Sequence, residues 1–200
     1  MATSQKNTGN GTDGGEFGPS EWQDVFNIVS SNNQYAIVDL AAASSYDISN
    51  TLKADQFGFD IPSTATIDGI VCTVERKAGA ANQIVDYTVR ILKNGSPVGT
   101  DKAATSTFWS TTEGDVSYGS PTDLWGTSWY SSDINNSSFG FQIRCEYVPA
   151  YSNGGAYVDL MYITVYYTLN NLKFGTTSVA NIRYGNTSIK SIYYGSTRIS

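Results

Sequence analysis

The sequence predicts an all-β protein: an antiparallel β-sandwich of jelly-roll-like architecture, with a Gly-rich N-terminal arm and a small C-terminal appendage of β-repeats. Three observations predict this class. The 200 residues include 19 Gly, 14 Tyr and 8 Phe, while only 15% are charged, so aromatic and turn-forming residues exceed their usual share. Several segments alternate apolar and polar residues with the period of two that is typical of strands. No segment keeps a helical period.

Residues 1–20 are predicted to form the N-terminal arm. They contain five glycines and almost no apolar side chain except Phe17. A segment of this composition cannot bury enough surface to offset the entropy lost on ordering. We therefore expect either a disordered arm or a strap that lies on a neighbouring subunit, with Phe17 as a candidate partner-binding residue.

Residues 21–169 are predicted to form the β-sandwich. Alternation over 84–92 places Val85 and Tyr87 on the buried face and Asp86 on the opposite face. The last long strand is apolar on both sides, so we expect it to be central in its sheet. The clearest strands are predicted over 66–77, 84–92, 139–147 and 156–168.

Residues 170–200 are predicted to form an appendage in which one ten-residue unit occurs three times. The repeat aligns Gly175, Gly185 and Gly195, each of which follows an aromatic residue. Each unit indicates a short strand, a tight turn and a second short strand. Because a two-stranded unit of this length is marginally stable alone, we expect the repeats to dock on the sandwich or to associate with sister chains.

Composition argues against several classes of function. The chain has no histidine, which removes Ser-His-Asp and Cys-His catalysis and His-ligated metal sites. Its formal net charge of −6 argues against nucleic-acid binding. No apolar run approaches the roughly 18 residues of a membrane span, and no phosphate-binding or nucleophile motif is present. We predict a protein that is not an enzyme and uses no cofactor, and a polysaccharide depolymerase is the least favoured alternative.

No metal site is predicted. Cys72 and Cys145 are too few and too distant for a zinc cluster, and we expect both to be buried and reduced, with a cross-sheet disulfide as the alternative. No EF-hand loop is present. Binding of calcium at the surface by oxygens of loop residues stays an open alternative. Asp159, inside the last long strand, is expected to be a hydrogen-bonded buried or interface carboxylate. No apolar signal core follows the N-terminus, so folding in a cytosol is expected.

Several motifs resemble those of tailed-bacteriophage structural proteins. Those that resemble a β-sandwich module of virion-associated proteins are Phe57-Gly58-Phe59-Asp60-Ile61-Pro62, Leu92-Lys93-Asn94-Gly95, Asp123-Leu124-Trp125-Gly126 and Val158-Asp159-Leu160-Met161-Tyr162. The segment that resembles short repeats at the end of many phage head and tail proteins is Ile192-Tyr193-Tyr194-Gly195-Ser196-Thr197. The resemblance covers residues 20–200 and supplies no catalytic residues.

This resemblance implies a non-enzymatic structural component of a tailed-phage virion, assembled in the host bacterial cytoplasm. Within the virion it favours a capsid decoration protein, of the cement or head-fibre type, that binds and stabilises the assembled shell. Its partners would be the phage major capsid protein or other virion proteins. A homotrimer is expected, because local three-fold positions on a shell favour matching symmetry. The alternative is a tail or fibre component that carries a glycan- or receptor-binding β-sandwich.

Two sets of residues are candidates for binding under these interpretations. Basic side chains in the repeats could meet an acidic neighbour such as a shell protein, with ordinary solvation as the alternative. The partner-binding candidates in the repeats are Arg183, Tyr184, Lys190, Tyr193, Tyr194 and Arg198. Aromatic residues in the Gly/Ser/Thr-rich stretch 103–138 could stack on a host surface glycan, or instead plug the sandwich ends or a subunit interface. The glycan-binding candidates are Trp109, Tyr118, Trp125, Trp129 and Tyr130.

Overall fold

The structure is a computed structural model that describes residues 1–15, 20–40, 47–148 and 154–169, and the backbone of short strands between 172 and 198. The described residues form two antiparallel sheets that pack around one apolar core, which confirms the predicted β-sandwich. The strands are β1 (Ala2–Asn7), β2 (Asn10–Asp13), β3 (Ala36–Leu40), β4 (Asp47–Ile48), β5 (Leu52–Asp55), β6 (Ala65–Ala78), β7 (Ile84–Lys93), β8 (Ser96–Val98), β9 (Gly114–Ser120), β10 (Gly140–Tyr147) and β11 (Gly154–Leu169). Two short helical turns lie at Val25–Ile28 and Ser131–Ile134.

The two sheets have different strand orders. The first sheet has the order β1-β11-β6-β9, with β3 paired to the other half of β11 beside β1. The second has the order β2-β5-β10-β7-β8, with β4 also paired to β10. Strand β11 is therefore central, as its apolar character on both sides predicts. No helix in the described part of the chain combines the length and the hydropathy that a membrane crossing requires.

The N-terminal residues are strands of the sandwich, which corrects the prediction of a free or strap-like arm. Strand β1 pairs with residues 162–167 of β11 in the first sheet, and β2 pairs with β5 in the second. A Cβ atom on Gly11 would stand 2.0 Å from the Val25 carbonyl oxygen, so the backbone here needs glycine. The prediction from composition failed because backbone hydrogen bonds to neighbouring strands hold β1 and β2 in place, and such bonds need no large apolar side chain. Phe17 lies outside the described residues.

The sandwich core confirms most of the predicted strand faces. The predicted inward positions of the segment 139–147 are all fully buried, at Phe139, Phe141, Ile143, Cys145 and Tyr147. Phe57 and Phe59 pack against Phe139 with ring centroids 6.5 and 5.9 Å away. The Asn94-Gly95 turn between β7 and β8 has positive φ at both residues, the conformation that favours this dipeptide in two-residue hairpins.

A β-bulge reverses the predicted faces of β7 around Asp86. The register between β7 and β10 shifts so that Arg144 pairs with Thr88 and Cys145 pairs with Asp86. Tyr87 is left between them and is 38% exposed, whereas Asp86 is fully buried. The prediction that Tyr87 faces inward and Asp86 outward is therefore wrong, because one extra residue inverts the alternation on one side of a bulge.

The C-terminal repeats are three hairpins of short antiparallel strands, as the sequence predicts. The pairs are β12 (Leu172–Phe174) with β13 (Thr177–Val179), β14 (Arg183–Tyr184) with β15 (Thr187–Ser188), and β16 (Tyr193–Tyr194) with β17 (Thr197–Arg198). Within the described residues, each hairpin is a two-stranded sheet of its own.

Candidate functional site

Two of the predicted glycan-binding aromatic residues converge on one buried carboxylate. Trp109 Nε1 and Tyr118 Oη donate hydrogen bonds of 2.8 Å to the two oxygens of Asp86. The Arg76 guanidinium forms an ion pair with the same carboxylate and lies 4.0 Å from the centroid of the Trp109 ring. Burial raises the pKa of the Tyr118 phenol well above its ordinary value, and the positive charge of Arg76 only partly opposes this. The group therefore joins the two sheets from inside.

Two further candidates are also core residues. Trp125 is fully buried and its indole Nε1 donates to the Ile70 carbonyl oxygen at 3.0 Å. Trp129 is 7% exposed and donates to the Leu124 carbonyl oxygen, also at 3.0 Å. Four of the five aromatic residues thus lack the open ring face that a sugar needs, which corrects the glycan-platform prediction for them. All four belong to the core of the sandwich.

Tyr130 is the exposed member of the five. Its side chain is 71% exposed, and the Lys93 ammonium lies 5.9 Å from its ring centroid. A single exposed tyrosine offers one stacking surface.

Asp159 has the role that the sequence predicts for it. It is fully buried where the register between β11 and β6 shifts. Its carboxylate accepts hydrogen bonds from the backbone N–H groups of Asn32 and Asn33, the shortest at 2.9 Å. Asp159 therefore fixes the 30–34 loop against the centre of the first sheet.

Four carboxylates from three segments of the chain meet near the start of β9, and we call them the acidic patch: Glu75, Glu113, Asp115 and Asp159. Oxygens of Glu75, Glu113 and Asp159 lie within 4.8 Å of one another, and Glu75 pairs across the strands with Asp115. Burial, reinforced by the charges of the other three carboxylates, raises the pKa of Glu75. Grouped carboxylates are the ligands that hard cations prefer.

The acidic patch is held in place by neighbouring side chains. Tyr162 Oη donates a hydrogen bond of 2.9 Å to Asp115. Tyr35 Oη donates to Glu113, and the Lys77 ammonium lies 3.4 Å from the same Glu113 oxygen. Sequence analysis missed the patch because Glu75 and Asp159 come from distant strands, and the Glu113-Gly114-Asp115 spacing alone does not indicate that they join it.

An open cavity of about 300 Å³ lies beside this patch. Its walls include Glu113, Asp115 and the hydroxyl-bearing residues Ser110 and Thr112, with Arg76 also contributing. The start of β9 therefore borders an open groove at the edge of the first sheet, with two carboxylates in its wall.

The two cysteines are free and buried, as predicted, and the alternative of a cross-sheet disulfide is not seen. Burial raises the pKa of the Cys72 thiol well above its usual value and that of Cys145 to about 12. Neither thiol is suited to nucleophilic chemistry, since the reactive species is the thiolate.

The chain separates its charges between the sandwich and the repeats. Residues 1–169 contain all 18 acidic and eight basic residues, a formal charge of −10, whereas residues 170–200 carry +4 with no acidic residue. Of the predicted partner-binding residues, five lie in hairpin strands: Arg183, Tyr184, Tyr193, Tyr194 and Arg198. Lys190 lies outside the described residues.

Comparisons with known proteins find a similarity to a solved structure and no match of other kinds. No family model and no curated protein matches the chain. Among solved structures, a family 35 carbohydrate-binding module from Clostridium thermocellum is similar, with 13% identity, coverage of 82% of this chain and 98% of that chain, and a TM-score of 0.33. A similarity of this size bears on neither the ligand nor the partners of the chain.

Proposed function

We propose that the chain is a non-enzymatic structural component of a tailed-phage virion, and within it a capsid decoration protein that stabilises the assembled shell. The observation that carries this proposal is the series of three hairpins after the sandwich. Each hairpin has strands of two or three residues, which is too little to be stable alone in water. Such units reach stability by contact with other protein surfaces.

The mechanism is linkage between binding and assembly. A protein that binds only the assembled shell adds its binding free energy to that state. Because β1 and β2 belong to the sandwich, they do not form a strap that could attach the chain to the shell. We therefore assign this attachment to the repeats. The sandwich, with its buried ion pair and aromatic core, is then a rigid body that the repeats anchor. A homotrimer fits this role at the local three-fold positions of a shell.

The alternative, a tail or fibre component with a glycan-binding sandwich, has less support. It depended on exposed aromatic rings, and four of the five candidates are 7% exposed or less. Only Tyr130 has an open ring among them.

Incorporation into particles tests the proposal. Epitope-tagged full chain and a chain that ends at Leu169 are produced in phage-infected cells, and intact virions and tail-less capsids are separated on density gradients. We expect the full chain on both particles and the shortened chain on neither. Circular dichroism of the shortened chain controls for folding. Absence of the full chain from every particle would refute the proposal, and its presence on tails alone would favour the tail alternative.

A further inference from the structure

We propose that the C-terminal hairpins of one chain dock on the free edge of β9 in a second copy, where the acidic patch receives their basic residues. The inference goes beyond the proposed function, in which the repeats hold the sandwich on the shell, because it also assigns the repeats a contact between neighbouring copies of the chain. Two independent observations lead to it: an open strand edge, and a separation of charge between the sandwich and the repeats.

Strand β9 is the outermost strand of the first sheet and, within the described residues, pairs with β6 alone. Gly114, Asp115 and Ser117 are exposed, whereas at its far end Gly119 is covered by Trp125, whose Nε1 would stand 3.0 Å from an added Cβ. The open edge is thus residues 114–117. Unpaired backbone groups at such an edge accept an added strand, and its length suits the two- and three-residue strands of the repeats.

Two other strand edges of the sandwich, those of β7 and β1, fit the repeats less well. The edge of β7 beyond β8 is covered by the chain segment 101–109, since Lys102 N donates to Val89 O and Trp109 N donates to Ile84 O. Strand β1 lies at the opposite side of the first sheet, where β3 pairs with the other half of β11. It contains Lys6 and no carboxylate, so a basic strand would meet a like charge there.

Charge complementarity selects the β9 edge for the repeats. Glu113 directly precedes the open edge, Asp115 lies within it, and both line the cavity beside it. Lys77 is the cation in ion-pair range of Glu113, and repulsion within the acidic patch contributes to the raised pKa of Glu75. A basic partner would relieve that repulsion and would also guide the approach of the two chains.

Each hairpin carries a basic residue at a paired strand position. In the first hairpin, Lys173 pairs with Ser178. In the second, Arg183 pairs with Ser188, and in the third, Arg198 pairs with Tyr193. A hairpin strand that adds to the β9 edge therefore brings a basic residue to it.

For the first hairpin, geometry favours a second copy over the same chain. Strand β11 ends at Leu169, paired with Ala65, whereas Gly114 pairs with Arg76 at the other end of β6. The eleven steps along the strand from Ala65 to Arg76 span about 36 Å. The first hairpin begins three residues after Leu169 and does not cover that distance, so Lys173 reaches the acidic patch of a second copy and not that of its own chain. A head-to-tail contact of this kind closes a ring when the rotation permits, which agrees with the expected trimer.

Isotope-mixed cross-linking tests the inference on the full chain. Unlabelled and ¹⁵N-labelled chains are mixed and treated with a carbodiimide, which joins a carboxylate to a lysine amine. We expect mixed-isotope peptides that join Lys173 or Lys190 to Glu113 or Asp115. They should be lost at about 0.5 M salt, where screening is strong. Analytical ultracentrifugation should show an oligomer for the full chain and a monomer for the chain that ends at Leu169.

Charge reversal gives the matched comparison. Asp115→Lys should weaken self-association by about tenfold or more, while Asp60→Lys, which makes the same charge change at another exposed site, should leave it unchanged. Arg183→Glu should partly restore association of Asp115→Lys. If Asp115→Lys lowers the thermal midpoint, the double variant Arg183→Glu/Arg198→Glu tests the same contact from the side of the hairpins, without a change in the sandwich.

Three results would overturn the inference: a monomeric full chain, cross-links of a single isotope only, or equal effects of Asp115→Lys and Asp60→Lys. The outcome is separable from that of the proposed function. Incorporation into capsids by a chain that is monomeric in solution would refute this docking and leave the function standing. Self-association through β9 by a chain that is absent from capsids would support this docking and refute the proposed function.

Discussion

Arg76 of β6 and Asp86 of β7 form an ion pair inside the sandwich, and this pair joins its two sheets. The side chains of Arg76 and Asp86 are 5% and 0% exposed. Trp109 and Tyr118 donate to the same carboxylate, and the Ala104 N–H donates to it at 3.0 Å. Because both charges have lost their water, the pair is stable only while these partners are present.

Asp86→Asn is expected to destabilise the fold by about 3–5 kcal/mol, because it leaves the buried Arg76 charge without a counter-ion. The substitution keeps the size of the side chain, so a cavity contributes little. Urea denaturation followed by tryptophan fluorescence measures the change in the free energy of unfolding.

The control for this prediction is a partly exposed ion pair. The Lys93 ammonium lies 2.8 Å from Asp133, and the Lys93 side chain is 24% exposed. Lys93→Ala should cost about 1 kcal/mol or less. Equal small costs for Lys93→Ala and Asp86→Asn would contradict the structural role of the buried pair.

Removing residues 1–15 is expected to destabilise the sandwich rather than to release a spare arm. The deletion removes β1 and β2, so the central β11 and the neighbouring β5 each lose a ladder. At about 1 kcal/mol for each net hydrogen bond, the loss is several kcal/mol. Differential scanning calorimetry of the full and shortened chains measures it, and an unchanged midpoint would restore the arm hypothesis.

A pair of glycine variants tests the same strands without a deletion. At Gly11 an added Cβ would stand 2.0 Å from the Val25 carbonyl oxygen, whereas at Gly114 it would meet nothing within 4 Å. Gly11→Ala should therefore cost about 1–3 kcal/mol as an overpacked site, and Gly114→Ala should be near neutral. A neutral Gly11→Ala would show that β2 is not packed as described.

The sequence predicts the sandwich well where strands alternate strictly. The segment 139–147 has its five inward positions fully buried, because one face meets the core and the other does not. The prediction failed where backbone hydrogen bonds, and not side chains, decide whether a segment forms a strand or which face a residue takes. Ala2–Asn7 is polar yet pairs along β11, and a bulge around Asp86 inverts one end of β7. Neither the pairing of a polar strand nor the position of a β-bulge can be inferred from composition.

The candidate site was harder to predict than the fold. Aromatic enrichment over 103–138 was compatible with a sugar platform or with a plugged core, and only a three-dimensional partner decides between them. For Trp109 and Tyr118 that partner is Asp86, which lies 23 and 32 residues away. The acidic patch likewise joins separate strands, so no spacing could reveal it. The ten-residue repeat needed no such information, since its hairpins are local.

Trp125→Ala is expected to destabilise the fold strongly, and Tyr130→Ala only slightly. Trp125 is fully buried, so its truncation should cost about 3–5 kcal/mol. Tyr130 is 71% exposed, and its removal should cost about 1 kcal/mol or less. Denaturation measures both, and acrylamide should quench little of the indole fluorescence of the native chain. Strong quenching, or a neutral Trp125→Ala, would contradict the buried assignment and revive the sugar platform.

The stability of the fold is expected to fall between about pH 9 and pH 12, in part because of Cys145. Burial raises the pKa of its thiol from 9.0 to about 12. In that interval the unfolded chain loses the thiol proton while the folded chain keeps it, so rising pH favours unfolding. A difference of three pKa units corresponds to about 4 kcal/mol at most. Below pH 9 both states keep the proton, and this contribution is fully present.

Cys145→Ala isolates that contribution. Other groups that titrate in alkali, including Tyr118, whose pKa is also raised, are present in both proteins, and their effects cancel in the difference between the two. Urea denaturation at pH 7, 9, 10 and 11 should show the parent chain losing stability more steeply than Cys145→Ala above pH 9, with parallel behaviour below. Identical slopes would mean that the thiol ionises in the folded state at its ordinary pKa, and therefore that water reaches the face of β10 that packs against the core.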